Sequence, residues 1–328
     1  MKRLVPFSAA ALLALAFANA ARATESVTFM LDWLPAGDKA AVYLGVEKGL
    51  FEAEGIKVTI QSGRGSSDVV TKLATGAADM GTGGLAALLQ AKATDNVPVK
   101  AVMSIYTLQP DAIFTTKENG ISSLKDLEGK TVATATFSSS NVSWPLVLKA
   151  NNVDPDKIKL LKVDPGALAP MLASGKVDAT INWVTVAPAF AGPLKEAGKS
   201  FKELPWSAYG FDGYGLSVFV SDKMIAERPD TVRKFLKAYK QATDLAIADP
   251  MAAAKALKAM VPEVDADTAA EQWKASIPLM VNDLSKKDGA GAFEPKLLAT
   301  TWRWVAEAQN LPLDKLNPET AVSREFLK

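Results

Sequence analysis

Between Val27 and Ile60 the chain reads strand, loop, helix, strand, and that order admits few folds. Val27 to Leu31 is a β-branched and apolar run, and Asp32-Trp33-Leu34-Pro35-Ala36-Gly37 breaks it with turn residues. Asp38 is placed to cap a helix in which Tyr43, Val46 and Leu50 recur at three- and four-residue steps, and Gly49 stands where that helix ends. After Gly55, Ile56, Val58 and Ile60 alternate with Lys57 and Thr59, the period of a strand with one buried face. The right-handed crossover of such a βαβ unit makes its strands parallel. It also leaves the Asp32-Trp33 loop at the carboxyl edge of the sheet, where open α/β folds bind ligands.

The pattern then repeats. Lys72-Leu73-Ala74-Thr75-Gly76-Ala77-Ala78-Asp79-Met80 is matched 99 positions on by Met171-Leu172-Ala173-Ser174-Gly175-Lys176-Val177-Asp178-Ala179. The strands before them, Ile56-Lys57-Val58 and Ile158-Lys159-Leu160, are offset by a similar 102. Two lobes of like architecture follow from this, each a mainly parallel sheet flanked by helices. The chain leaves the first lobe near Pro110 and returns through the glycine- and aromatic-rich stretch Trp206 to Gly215. Residues 24–111 with 212–328 are expected to form one lobe and 112–211 the other, joined by two hinge crossings. From Pro229 the chain is mostly helical, and Trp273, Trp302 and Trp304 on those helices are expected to serve as core anchors.

Residues 1–23 carry an export pattern: Lys2 and Arg3, an apolar run from Leu4 to Phe17 that is short for a bilayer, and Ala21-Arg22-Ala23 as the cleavage site. A periplasmic protein, cut near Ala23 and not embedded in a membrane, is expected. Without that segment the 37 basic residues fall by three to 34 against 36 acidic ones, which is not the balance of a nucleic-acid binder. The chain holds no histidine and no cysteine. Disulfides, thiolate nucleophiles, Ser-His-Asp triads and ordinary zinc or copper sites are thereby excluded. No metal, no cofactor and no catalysis are expected, and a lobe-hinge-lobe binder needs no second subunit, so a monomer is expected.

One polar loop per lobe lies between a strand and a helix, at Gly65-Ser66-Ser67 and at Ser138-Ser139-Ser140-Asn141. Backbone N–H groups at a helix start, with hydroxyls beside them, receive carboxylates, sulfonates, phosphates or ring carbonyls. Arg64 is the one arginine near either loop. Trp33, Tyr106, Phe137, Trp183 and Tyr214 fall at strand ends or crossings, where they can sandwich a planar ring. Asp32 and Asn182 neighbour two of them and can accept from a ring amino group.

Leu31-Asp32-Trp33-Leu34-Pro35, Glu47-Lys48-Gly49-Leu50-Phe51, Glu54-Gly55-Ile56-Lys57-Val58, Gly76 to Gly81, Ser123 to Lys130 and Gly175 to Ala179 resemble the substrate-binding proteins of the nitrate, sulfonate, taurine and thiamine-pyrimidine class of ABC importers. The resemblance runs to about Val220. It implies a periplasmic binding protein fold of type II that closes around a small solute and delivers it to a permease driven by an ATPase. The Asp-Trp-x-Pro start is most similar to the thiamine-pyrimidine branch, so a small polar, heteroaromatic solute resembling a pyrimidine precursor is the leading expectation. That branch commonly has a histidine shortly after the proline, where this chain has Asp38-Lys39-Ala40, and its fungal enzymes need a histidine and a cysteine cluster that are absent here. An anion binder of the sulfonate, taurine or nitrate type is the runner-up. An exported enzyme using lysine or carboxylates, or a sensory binding protein, is the rival of another class.

Overall fold

The computed structural model describes residues 24–327, so the export segment lies outside the described residues. Ten strands form two five-stranded sheets. The first holds β1 (Glu25–Met30), β2 (Ile56–Gln61), β3 (Met80–Gly84), β4 (Val99–Ser104) and β10 (Leu216–Ser221) in the order β2-β1-β3-β10-β4. The second holds β5 (Asp111–Thr116), β6 (Thr131–Ala135), β7 (Lys159–Val163), β8 (Ala179–Trp183) and β9 (Phe201–Pro205) in the order β7-β6-β8-β5-β9. The two orders are the same order. In each sheet three strands pair in parallel, and one interior strand, β10 or β5, runs antiparallel to both its neighbours. That interior strand is where the chain arrives from the other lobe, from β9 into β10 and from β4 into β5. The two lobes of periplasmic binding protein fold expected from the sequence are therefore present.

The 99-residue repeat is one mechanism built twice. In each copy a helix, Ser66–Ala74 or Leu168–Ala173, ends at a glycine of φ 75° or 74°, and the next N–H bonds back to the turn, Ala77 to the Lys72 carbonyl and Lys176 to that of Met171. The aspartate that follows then clamps the neighbouring strand. Asp79 Oδ2 accepts from the Thr28 N–H and Asp178 Oδ2 from the Thr131 N–H, each at 2.8 Å. The carboxylates satisfy backbone donors at the points where β1 and β6 meet β3 and β8.

The β2 alternation is as expected, with Ile56 buried and Lys57, Thr59 and Gln61 exposed. The first helix differs at its start. Gly37–Lys39 forms a 3-10 turn before the α-helix Ala40–Glu47, and Asp38 lies within that turn, buried, rather than capping it. The tail helices pack on the first lobe, but Pro295–Ala308 also reaches across: Trp304 meets Phe211 with its ring tilted, centroids 5.1 Å apart, and Gln309, which follows the helix, donates to the Val142 carbonyl at 2.7 Å.

Because the aspartate clamps sit in separate sheets, Asp79→Ala and Asp178→Ala are each expected to cost about 1–3 kcal/mol, the range for leaving a backbone donor without its charged acceptor. Their effects in the double variant should add. Urea unfolding of the three variants checks both statements.

Candidate functional site

The carboxyl ends of β1 and β3 face those of β6 and β8 across the interlobe cleft, and the residues leaving them line a narrow slot of about 20 Å³. Its walls are Asp32, Trp33, Asp38, Lys39, Gly65 and Ser66 from the first lobe and Ser138, Ser139, Asn182, Trp183 and Val186 from the second. That volume admits about one water, so the lobes stand closed and any larger guest enters by their separation.

The floor is ionic. Lys39 Nζ lies 2.9 Å from Asp32 Oδ1 and 3.1 Å from Asp38 Oδ2, with all three side chains almost wholly buried. Burial pushes the Lys39 ammonium toward neutrality, but the two carboxylates outweigh it and hold the pKa above its ordinary value, so the lysine stays charged. Thr82 on β3 donates to Asp32 Oδ1 at 2.9 Å, and Thr185 of the other lobe donates to Asp38 Oδ2 at the same distance. The Gly37 N–H, next to Asp38, donates to Gln272 Oε1 of the tail helix Ala266–Met280 at 2.7 Å, which pins the turn that carries Asp38 and Lys39. Two buried oxygens at the slot are nevertheless left without a hydrogen-bond partner, Asp38 Oδ1 and Asn182 Oδ1. Lys39 Nζ is engaged by the two carboxylates, which leaves one of its three N–H donors uncommitted.

The two tryptophans are exchanged between lobes. Trp33 packs against the core of the second lobe, and Trp183 against that of the first. Trp183 is held firmly: its Nε1 donates to Asp111 Oδ1 at 3.0 Å, its ring lies 5.2 Å from Lys39 Nζ, and Tyr106 meets its edge at 6.1 Å. Asp111 stands directly across the β5–β8 ladder from Trp183, which places both side chains on one face. Ser140 also donates to Asp111 Oδ1. Burial lifts the Asp111 carboxyl to about 6, although both donors oppose the rise.

The two serine loops touch. The Ser67 N–H donates to the Phe137 carbonyl at 3.1 Å, and Gly65, at φ 144°, has no room for a side chain, since a Cβ there would come within 2.3 Å of the Phe137 backbone. Ser66 Oγ accepts from the Gly84 N–H at 2.9 Å and Ser138 Oγ donates to Ser140 at 3.0 Å, so both hydroxyls are anchored at the slot wall.

Of the residues singled out in the sequence, Asp32, Trp33, Ser66, Ser138, Ser139, Asn182 and Trp183 meet at the slot. The other seven stand elsewhere. Arg64 lies on the rim, more than half exposed, over the Phe137 ring at 4.8 Å and 3.5 Å from Asp68. Ser67 and Phe137 make the interlobe backbone bond just described, and Ser140 and Tyr106 stand behind Trp183. Asn141 is a strap: it donates to the Ala135 carbonyl at 2.9 Å and accepts from Thr134 at 2.9 Å, which ties the end of β6 to the helix Ser140–Ala150. Tyr214 is furthest from expectation, inside the first lobe against Phe293 at 5.3 Å, its hydroxyl accepting from the Glu294 N–H at 2.6 Å. Sequence reasoning missed Asp38, Lys39 and Val186, and named Gly65 only as part of its serine loop. For Lys39 the signal was present, because it stands in the stretch where the pyrimidine branch carries its histidine.

Replacing Lys39 by Met leaves two buried carboxylates facing each other, and a loss on the order of 3–5 kcal/mol at pH 7 is expected. Urea unfolding of the variant beside the parent at pH 7 reads the difference. For Asp111 the sign is set by its raised pKa. The folded state binds the proton more tightly than the unfolded one, so this stabilising contribution is complete in acid below the ordinary carboxylate range and is lost as pH rises through about 6. Asp111→Asn keeps both hydrogen bonds without the charge. It should match the parent near pH 4 and exceed it at pH 8 by up to about 3 kcal/mol, in melting curves across that range.

Comparison with known proteins bears on what such a slot serves. A 4-amino-5-hydroxymethyl-2-methylpyrimidine phosphate synthase of Saccharomyces cerevisiae is 26% identical over 261 residues, covering 76% of this chain and 76% of the relative. A riboflavin-binding protein of Chloroflexus aurantiacus is 26% identical over 317 residues, covering 94% of this chain and 88% of the relative. Among solved structures, the alkanesulfonate-binding protein of Xanthomonas axonopodis pv. citri bound to MOPS superposes with a TM-score of 0.71 at 18% identity, covering 93% of this chain and 100% of that one. At that identity the likeness is one of fold. The expectation that the chain catalyses nothing is corrected by the first relative, which carries an enzyme's name and aligns over three quarters of the chain. The model of the family described as NMT1/THI5 like matches residues 37–253, from the turn that carries Lys39 to the tail helices, and the chain belongs to that family.

Proposed function

We propose that this chain binds a small nitrogen heteroaromatic solute in the interlobe slot, between Trp33 and Trp183. The observation that carries the reading is a pair of partnerless acceptors on residues that line the slot from either lobe, Asp38 Oδ1 and Asn182 Oδ1, with the Lys39 ammonium beside them. An aminopyrimidine edge presents amino N–H donors beside a ring-nitrogen acceptor. Asp38 Oδ1 and Asn182 Oδ1 accept from the amino group, and Lys39 Nζ donates to the ring nitrogen. A buried polar atom left unpaired costs about 1–3 kcal/mol, so a ligand that supplies these partners gains twice, by its own bonds and by relieving the site. Stacking on the tryptophans adds affinity without regard to substituents. The relatives support this chemistry, since both the pyrimidine in the synthase's name and riboflavin are nitrogen heterocycles.

Closure is part of the same reading. Residues 24–111 with 212–328 move against 112–211, and contacts made to both lobes only in the closed form shift the equilibrium toward it. The bonds from Thr185 to Asp38 and from Ser67 to Phe137 belong to that form. The solute is captured in the periplasm after export and presented to a permease powered by an ATPase, with the chain acting as a monomer. Among the described residues no helix is long and apolar enough to cross a membrane.

Titration calorimetry with 4-amino-5-hydroxymethyl-2-methylpyrimidine, riboflavin and taurine tests the ligand class. The heterocycles should bind and taurine should not. Trp183→Ala should weaken the heterocycle by about 1–3 kcal/mol, or roughly 5- to 150-fold. Tight taurine binding with no response to either heterocycle would overturn the proposal in favour of an anion site.

A further inference from the structure

We infer that the ligand is larger than one ring, with an apolar ring fused to or carried on its heteroaromatic head and seated in a second cavity beside the slot. The inference rests on the slot being the recognition end of the ligand. The slot alone, at about 20 Å³, is too small to take a ring while the lobes are closed. Next to it lies a cavity of about 260 Å³, and the two share Trp33, Asn182 and Val186 in their walls. A ring whose polar edge lies against Asn182 therefore has its far side in this larger space.

The larger cavity is built for an apolar body. Pro35, Ala169, Val186 and Phe190 join Trp33 around it, drawn from both lobes, while Thr268 and Gln272 of the tail close another side. An apolar cavity of about 150 Å³ takes a benzene ring, so this one has room for a fused ring and a substituent. Gly166 at its edge is open, since a Cβ there would meet only Leu34 Cδ1, at 3.8 Å. Its φ is not among the positive ones of the chain. A side chain placed at Gly166 thus enters the cavity without backbone strain.

The test compares 4-aminopyrimidine with 4-aminoquinazoline, which differ only by a fused benzene ring, on the full chain and on Gly166→Phe, by titration calorimetry. The fused ring should tighten binding about tenfold in the parent, the order expected for burying its apolar area. In Gly166→Phe the gain should vanish while 4-aminopyrimidine binds within about twofold of its parent value; Ala169→Trp serves as the second filling variant should the first fail to fold. Equal affinity of the two probes for the parent, or a gain that survives both substitutions, overturns the inference while leaving the slot in place. If neither probe binds the parent, the heteroaromatic reading falls and this inference with it.

Discussion

The buried ion cluster Asp32–Lys39–Asp38 is the interaction on which the cleft depends. Two carboxylates and one ammonium out of water are tolerable only while each charge faces its opposite, and the desolvation cost of losing one partner exceeds what the pair contributes to stability. The cluster therefore fixes the loop after β1, the 3-10 turn Gly37–Lys39 and, through Thr82, the end of β3 as one body. Thr185 adds the other lobe to it, and Gln272 adds the helical tail. Ordering the site and closing the cleft are in this sense the same event.

The cluster also shapes what the site can recognise. With Asn182 of the other lobe, its remaining hydrogen-bonding capacity is two acceptors beside one ammonium. A guest rich in N–H groups and carrying a ring nitrogen fits that set better than a bare anion, even though the fold is shared with a sulfonate binder. Arg64, which precedes the first serine loop, lies on the rim over Phe137 rather than facing the slot wall. Fold and ligand are thus set by different residues: the sheet order by the repeated strand-turn-strand framework, and the recognition by a few side chains at strand ends.

The exchange of tryptophans gives the cleft its mechanical character. Trp33 and Trp183 each pack on the opposite lobe's core, so opening the cleft exposes both rings and closing it hides them. That burial favours closure on its own, and a ligand competes with it for the same faces. Trp183 is the stiffer of the two, braced by Asp111 and the edge of Tyr106, which suits a wall against which a ring is positioned.

Periodicity and repetition are local properties, and the sequence by itself determined what depends on them. The βαβ opening, the 99-residue repeat with Asp79 and Asp178 in equivalent places, the two-lobed fold and the serine loops facing each other were all legible there. So were seven of the slot residues, because strand ends in such a sheet point to its carboxyl edge. Only the tertiary structure decided which polar residues are buried together. Lys39 and Asp38 look like a helix start in the sequence, and their burial follows from Gln272, 235 positions away from Gly37, and from Thr185 on the other lobe. Asn141 and Tyr214 stand away from the slot for the same reason: Ala135, Thr134 and Glu294 claim their polar groups. A side chain's role is set by the partners that long-range packing brings to it, and that packing depends on contacts between segments far apart in the chain.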